Sequence, residues 1–308
     1  MKKLATINRR QFIQLLAALS ASVVVTDKSY AKATSIYKTI PKTGEKIPVI
    51  GMGTSRTFED GLNSEQMPGL LQVMQAFFSM GGSLIDSSPM YGSAQQVIGQ
   101  LLSQITMQHD LFAATKVWID GKDEGILQME ESRQLWGIKR FDLMQIHNLV
   151  DWKTHLKTLQ QMKAEGKIRY IGITTSHGRF HDQLNNILLN EDVDFIQLSY
   201  NIANREVESS LLPIAQDKGI AVIVNRPYQR GLLFRVVSNK PLPSWTKDFD
   251  CHSWGQYFLK FAVSHPAVTC AIPATTKVKH MKDNMQAGLG QLPTTSQRIK
   301  MYKYFETL

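Results

Sequence analysis

Four polar side chains stand at or just beyond the ends of short apolar runs, in positions where they could do chemistry. The run "SLIDSS" (83–88) leads into Asp86, and Tyr91 follows five residues later in "LIDSSPMYG". "LFAATKVW" (111–118) carries Lys116, and "FDLMQIHN" (141–148) carries His147. An apolar residue is the ordinary occupant of such places, because burying an unpaired charge is costly. Singly, each has a plain structural reading: Asp86 as a helix cap, Lys116 as a solvated cation, His147 as a satisfied core histidine, Tyr91 as packing. Together they satisfy one another, since Asp86 can pair with Lys116 and Lys116 can face the Tyr91 hydroxyl. An ammonium beside a phenol favours phenolate and eases release of the proton. Such a set is suited to acid–base work on a bound substrate.

The elements that must position them alternate along the chain. Eight short apolar runs begin near residues 49, 83, 111, 141, 168, 194, 220 and 268. Between them lie segments with helical apolar spacing, several ended by glycine, such as "WKTHLKTLQQMKAEGK" and "VESSLLPIAQDKG". Strand and helix in alternation imply parallel strands with helical crossovers. The expected fold class is therefore α/β, a (β/α)8 TIM barrel, whose active sites lie where strands end and loops begin. An open doubly wound sheet is the competing architecture, but "GMGTSRTF" lacks the third glycine of a dinucleotide fingerprint. The spacing further predicts an opening hairpin in "SIYKTIPKTGEKIPVIG", turning at Lys42–Glu45, and a final helix around "KHMKDNMQAGLGQ". The stretch from Gln229 to about Cys251 has no pattern and is a candidate lid.

Before the barrel, "MKKLATINRRQFIQLLAALSASVVV" combines a basic start with an apolar run from Phe12 to Val25, too short to span a bilayer. Small residues that suit cleavage follow, after Ala31 or after Ala33. Asn8-Arg9-Arg10-Gln11-Phe12 resembles the twin-arginine export motif, with Asn8 in place of the usual Ser or Thr. Residues 1–33 are read as a twin-arginine signal peptide and 34–308 as the barrel domain. The expected location is periplasmic, reached through the twin-arginine export machinery, with no stable membrane insertion.

The formal net charge of +9 is unevenly spread. Residues 1–33 hold six Lys/Arg and one acid; the remainder has 29 basic against 25 acidic residues, and no basic block interleaved with aromatics. Nucleic-acid binding is not expected. The two cysteines, Cys251 and Cys270, cannot build a disulfide framework, and whether they pair is open. The histidines lack ligand spacing, so no metal site is expected.

From about Tyr37 to Gln291 the chain resembles the aldo/keto reductases. The resemblance rests on "LIDSSPMYG", "KAEGKIRYIGIT", "IQLSYN" and "IPATTKVKHMKDN", in the family's order. It implies reduction of an aldehyde or ketone by a reduced nicotinamide. Tyr91 would donate the proton, Lys116 would ease its release, Asp86 would orient Lys116, and His147 would orient the carbonyl. By the same resemblance Gly53, Thr54 and Ser55 approach the cofactor's ribose and pyrophosphate. Thr174, Thr175 and Gln197 would hold the carboxamide, and Asn225 falls where an aromatic commonly stacks. Thr275, Lys277 and His280 would meet a 2′-phosphate, and Asp283 and Asn284 the adenine. These cations favour NADP(H) over NAD(H), although Ala274 replaces a usual lysine. Phe58, Met90, Trp118, Asn148 and Trp152 follow strand ends and either line the pocket, for an apolar or aromatic small-molecule carbonyl compound, or serve as loop packing. Two other readings stand beside the enzyme: an exported NADP-binding barrel of weak catalysis that serves a partner protein, and a barrel hydrolase using Asp86 and Glu residues, which lacks a paired acid at a second strand end.

Overall fold

All eight apolar runs form parallel strands, and the side chains along them alternate between two cores. The computed structural model describes residues 34–308, except 63–64 and 107–110; the expected export signal lies outside the described residues. A hairpin of β1 (Tyr37–Thr39) and β2 (Lys46–Pro48) comes first, antiparallel, on either side of the expected turn. The barrel strands are β3 (Met52–Gly53), β4 (Leu84–Asp86), β5 (Phe112–Val117), β6 (Phe141–His147), β7 (Ile168–Thr174), β8 (Phe195–Ser199), β9 (Ala221–Asn225) and β10 (Val268–Ala271). They are hydrogen-bonded in sequence order. Closure comes from a parallel bridge between Ile50 and Ala271. There Gly51 N donates to Ala271 O and Ala271 N to Val49 O, each at 2.9 Å. The barrel reading holds and the open sheet does not.

Crossover helices lie between the strands: α1 (Met67–Ser79), α2 (Ala94–Leu102), α3 (Lys122–Trp136), α4 (Trp152–Ala164), α5 (His181–Asn190), α6 (Leu211–Asp217), α7 (Leu232–Val236) and α8 (Trp254–Val263). α9 (Val278–Gln286) forms where the final helix was expected, and α10 (Thr295–Glu306) follows it unforeseen. α10 opens on a full capping box, Thr294 with Gln297. The segment expected to be unpatterned holds α7 and a 3-10 turn at Ser244–Phe249, so the candidate lid is locally helical.

The strands' two-residue period sets what faces inward. One cluster fills the barrel: Leu84, Phe112, Ala114, Leu143, Tyr170, Phe195, Ala221, Ile223, Cys270 and Ile272, with Ile40 and Ile47 of the hairpin segment. The hairpin thus closes the end where the strands begin. Along the same inward rows, two residues further on, come Asp86, Lys116, Gln145, Gln197 and Asn225. One alternation therefore builds an apolar plug below and a polar site above. A larger cluster lies between the sheet and the helices. Inside the barrel Gly172 is required, because a Cβ there would lie 2.6 Å from Gln145 Cγ. Both cysteines are free and buried.

Candidate active site

The polar ends of the strands meet beneath one cavity of about 1020 Å³, lined by Asp86, Tyr91, His147, Thr174, Gln197 and Asn225 among others. Strand register brings Lys116 beside Gln145 and His147 beside Thr174, which beside Gln197 continues the row. Lys116 is fully buried behind the wall. Its Nζ donates to Asp86 Oδ2 at 2.5 Å and to Ser87 O at 2.7 Å. It also lies 5.2 Å from the centroid of the Tyr91 ring. Burial works against the Lys116 charge, but Asp86 and Tyr91 outweigh it and raise its pKa, so the ammonium persists. Burial pushes the Tyr91 phenol up while Lys116 pulls it down; the net is a rise, so the hydroxyl holds its proton at neutral pH.

Asp86 is held on both oxygens. Gln145 and Gln197 each donate an Nε2 hydrogen to Oδ1, at 2.8 and 2.9 Å. The network continues outward, with Asn225 Nδ2 donating to Gln197 Oε1 at 3.3 Å and to Thr175 O at 3.0 Å. Ser199 Oγ donates to Asn225 Oδ1 at 2.6 Å. Asn225 therefore ties β7, β8 and β9 together.

His147 forms an edge-to-face pair with Tyr91, ring centroids 5.8 Å apart. Burial, then the Lys116 charge, lowers its pKa to about 3, so the imidazole is neutral. Nδ1 lies 2.8 Å from Ser88 Oγ, which already accepts from Met90 N at 3.1 Å. Ser88 Oγ keeps a second lone pair and its own proton, so it can accept from Nδ1 or donate to it; donation leaves Nε2–H as the imidazole's donor. Sequence reasoning missed Ser88, although its place two residues after Asp86 was a signal.

Of the expected cofactor residues, Gly53, Thr54, Ser55, Thr174, Gln197, Asn225, Thr275, His280, Asp283 and Asn284 all line the cavity. Thr175 is buried off the wall, and Lys277 is exposed at the start of α9, also off the wall. Of the expected substrate residues, Met90 and Asn148 line the cavity. Phe58 does not: it is fully buried in the core, because Phe58 N closes a turn onto Thr54 O and carries the ring inward. Trp152 packs against the same core from the start of α4. Trp118 is also off the wall, exposed, with its ring centroid 6.4 Å from that of His147. The remaining wall is more basic than expected, with Arg56, Arg179, Arg226 and Arg230. Each stands in a strand-end loop, which was the available signal.

The far end of the cavity offers an unmet donor. Asn284 Oδ1 accepts from Tyr228 at 2.6 Å, but its buried Nδ2 has no partner. Among the described residues no cluster of metal-ligating side chains occurs, and no helix is long and apolar enough to cross a membrane.

The comparisons bear on the fold and the family. An aldo-keto reductase of Klebsiella pneumoniae solved in complex with NADPH superposes with a TM-score of 0.73 at 20% identity, covering 88% of this chain and 96% of that one. Aldo-keto reductase YhdN of Bacillus subtilis is 26% identical over 215 residues, 64% of this chain and 63% of that protein. An NADH-specific methylglyoxal reductase of Escherichia coli is 27% identical over 195 residues, 53% of this chain and 57% of its own length. The chain thus spans somewhat under two thirds of these two curated relatives. The sequence model of the aldo/keto reductase family matches residues 49–302, most of the described barrel, and the chain belongs to that family.

Proposed function

We propose that the protein is a reductase of aldehydes or ketones that uses NADP(H), with Tyr91 as proton donor. The observation that carries this reading is the joining of Tyr91, Lys116, Asp86 and His147 beneath one cavity. The residues present fit the cofactor: a long cavity runs from the tetrad to Asn284, whose buried amide lacks a partner. Gly53, Thr54 and Ser55 would face its ribose and pyrophosphate, Thr174 and Gln197 its carboxamide, and Thr275 and His280 its 2′-phosphate. A reduced nicotinamide supplies the hydride when bound; the protein handles the proton.

As the carbonyl oxygen gains negative charge, the Tyr91 hydroxyl gives it a proton. Lys116 steadies the phenolate left behind, and the Asp86 carboxylate keeps Lys116 in place. His147 donates from Nε2 to the same oxygen, a fixed donor aimed where charge develops. An unperturbed phenol, with a pKa of about 10, is a weak acid at neutral pH, so the nearby ammonium is needed.

The test is an NADPH fluorescence titration together with an aldehyde panel, on wild type and Tyr91→Phe. Wild type is expected to bind and oxidise NADPH, and Tyr91→Phe to bind it but lose turnover. Absence of NADPH oxidation with every carbonyl would end the reading as a reductase. Full activity in Tyr91→Phe would move the proton-donor role elsewhere. A relative of printed NADH specificity makes NADH the control cofactor.

A further inference from the structure

The loop after β9 is wound tightly around one tyrosine. Arg226, Gln229 and Arg230 take left-handed backbone angles, with φ of 51°, 50° and 57°. Non-glycine residues stay in that region only where their surroundings over-determine it. Here Gln229 N donates to Arg226 O at 3.0 Å and Gly231 N to Tyr228 O at 2.8 Å. The turn sets Tyr228 against α7 and α8. Its ring centroid lies 4.9 Å from that of Phe234 and 6.4 Å from that of Phe258.

A phenol fixed in this way has one strong use. Burial, then the Asp283 charge, raises its pKa, so the hydroxyl keeps its proton. Asn284 Oδ1 accepts that proton at 2.6 Å, while the other acceptor in reach, Gly255 O, stands 3.4 Å away. A separation of 2.6 Å suits an O–H···O bond and is short for N–H···O. The Asn284 amide is thereby set with its oxygen toward Tyr228 and its nitrogen away. The adjacent Asp283 does not take up that nitrogen. Its carboxylate accepts from Ser253 Oγ at 2.7 Å and from Gln256 Nε2 at 2.8 Å, at the start of α8. Asn284 is 3% exposed and lines the cavity, and its Nδ2 is left without a partner.

A buried donor without an acceptor is costly, and a ligand that supplies the acceptor removes the cost. The chemistry says which part of a dinucleotide comes here. The hydride has to leave from beside Tyr91 and His147, which places the nicotinamide at that end of the cavity. The adenosine half then runs to the far end, and the ring nitrogens of its purine are acceptors. An amide turned the other way would set oxygen against ring nitrogen, two acceptors with no proton between them.

We propose that Tyr228 is a positioning residue for the cofactor, holding the Asn284 amide so that Nδ2 donates to a ring nitrogen of the adenine. The inference rests on the reading of NADP(H) as the cofactor and adds to it a residue that the sequence did not single out.

The experiment measures Kd for NADPH by fluorescence and for adenosine 2′,5′-bisphosphate by calorimetry. Wild type, Tyr228→Phe, Asn284→Ala and the double variant are compared. Phenylalanine keeps the ring against Phe234 and Phe258 and removes only the hydroxyl. Tyr228→Phe is expected to weaken both ligands about tenfold, as for a buried donor that no longer meets its acceptor. In the Asn284→Ala background the same change should have no effect, since the two residues act as one unit. Full affinity for both ligands in Tyr228→Phe would overturn the proposal. So would an undiminished loss in the Asn284→Ala background, which would mean that Tyr228 acts on its own or through packing. A bisphosphate unaffected by Tyr228→Phe, or not bound by wild type that binds NADPH, would take the adenosine half away from Asn284 and overturn it as well. Wild type that binds neither ligand removes the cofactor reading and this inference with it, whereas binding that ignores Tyr228 removes the inference alone.

Discussion

Ser88 holds His147 through Nδ1. The Met90 amide occupies one lone pair of its hydroxyl, and Oγ lies 2.8 Å from Nδ1. The Nε2 donor role proposed for His147 requires the Ser88 proton to point to Nδ1. Without that bond the ring can flip or adopt the other tautomer, and the carbonyl loses its donor for part of the time. Ser88→Ala is expected to lower kcat by about tenfold, the loss of one hydrogen bond's worth of orientation, while NADPH affinity holds. Ser88→Thr, which keeps the hydroxyl, should recover most of the rate; a Thr variant as slow as Ala would count against the role. The imidazole also has a stability consequence. In the folded chain its pKa is about 3, whereas an unfolded histidine titrates near ~6.5. Between those values the unfolded state binds the extra proton, so stability falls as pH is lowered through that window and is unaffected above it. The loss from this group approaches roughly 1.4 kcal/mol per pH unit below ~6. Urea unfolding of wild type and His147→Gln from pH 7 to 4 should show the shallower dependence in the variant.

At the scale of elements, the barrel interior is the part of the fold most exposed to a single change. Phe195 of β8 is fully buried, with its ring centroid 5.4 Å from that of Tyr170 and 6.1 Å from that of Phe112. Phe195→Ala is expected to cost about 3–5 kcal/mol, read as a lower denaturation midpoint. Strands and crossover helices were legible because each buries one face, and a buried face writes its period into the sequence. α10 was not legible in this way. Its Arg298 is buried, with the guanidinium 4.4 Å over the Phe261 ring and an Nη2 bond to Tyr200 at 2.7 Å. A residue counted as polar thus fills a core position and blurs the stripe. The tetrad was legible because each member interrupts an apolar run. The pocket aromatics were not, because a side chain after a strand end can turn either way. Phe58 turns inward after a strand of two residues. Ser88 and the arginines carry no period at all, and only the folded loops bring them together.

For the whole molecule, we propose an address as well. The Asn8-Arg9-Arg10 motif and the apolar run that follows support a proposal of export through the twin-arginine route. Replacing Arg9 and Arg10 by Lys should leave the protein in the cytoplasm on fractionation; unchanged periplasmic recovery would remove the proposal. The two cysteines bear on the order of events. Burial pushes the Cys251 thiol up to about 12 and raises Cys270 as well. Thiolate, not thiol, is what oxidants attack, so the folded barrel offers them almost nothing to react with. The unfolded chain has no such shelter. A protein protected in this way is best folded before it meets an oxidising compartment, and its two thiols then need no partner there.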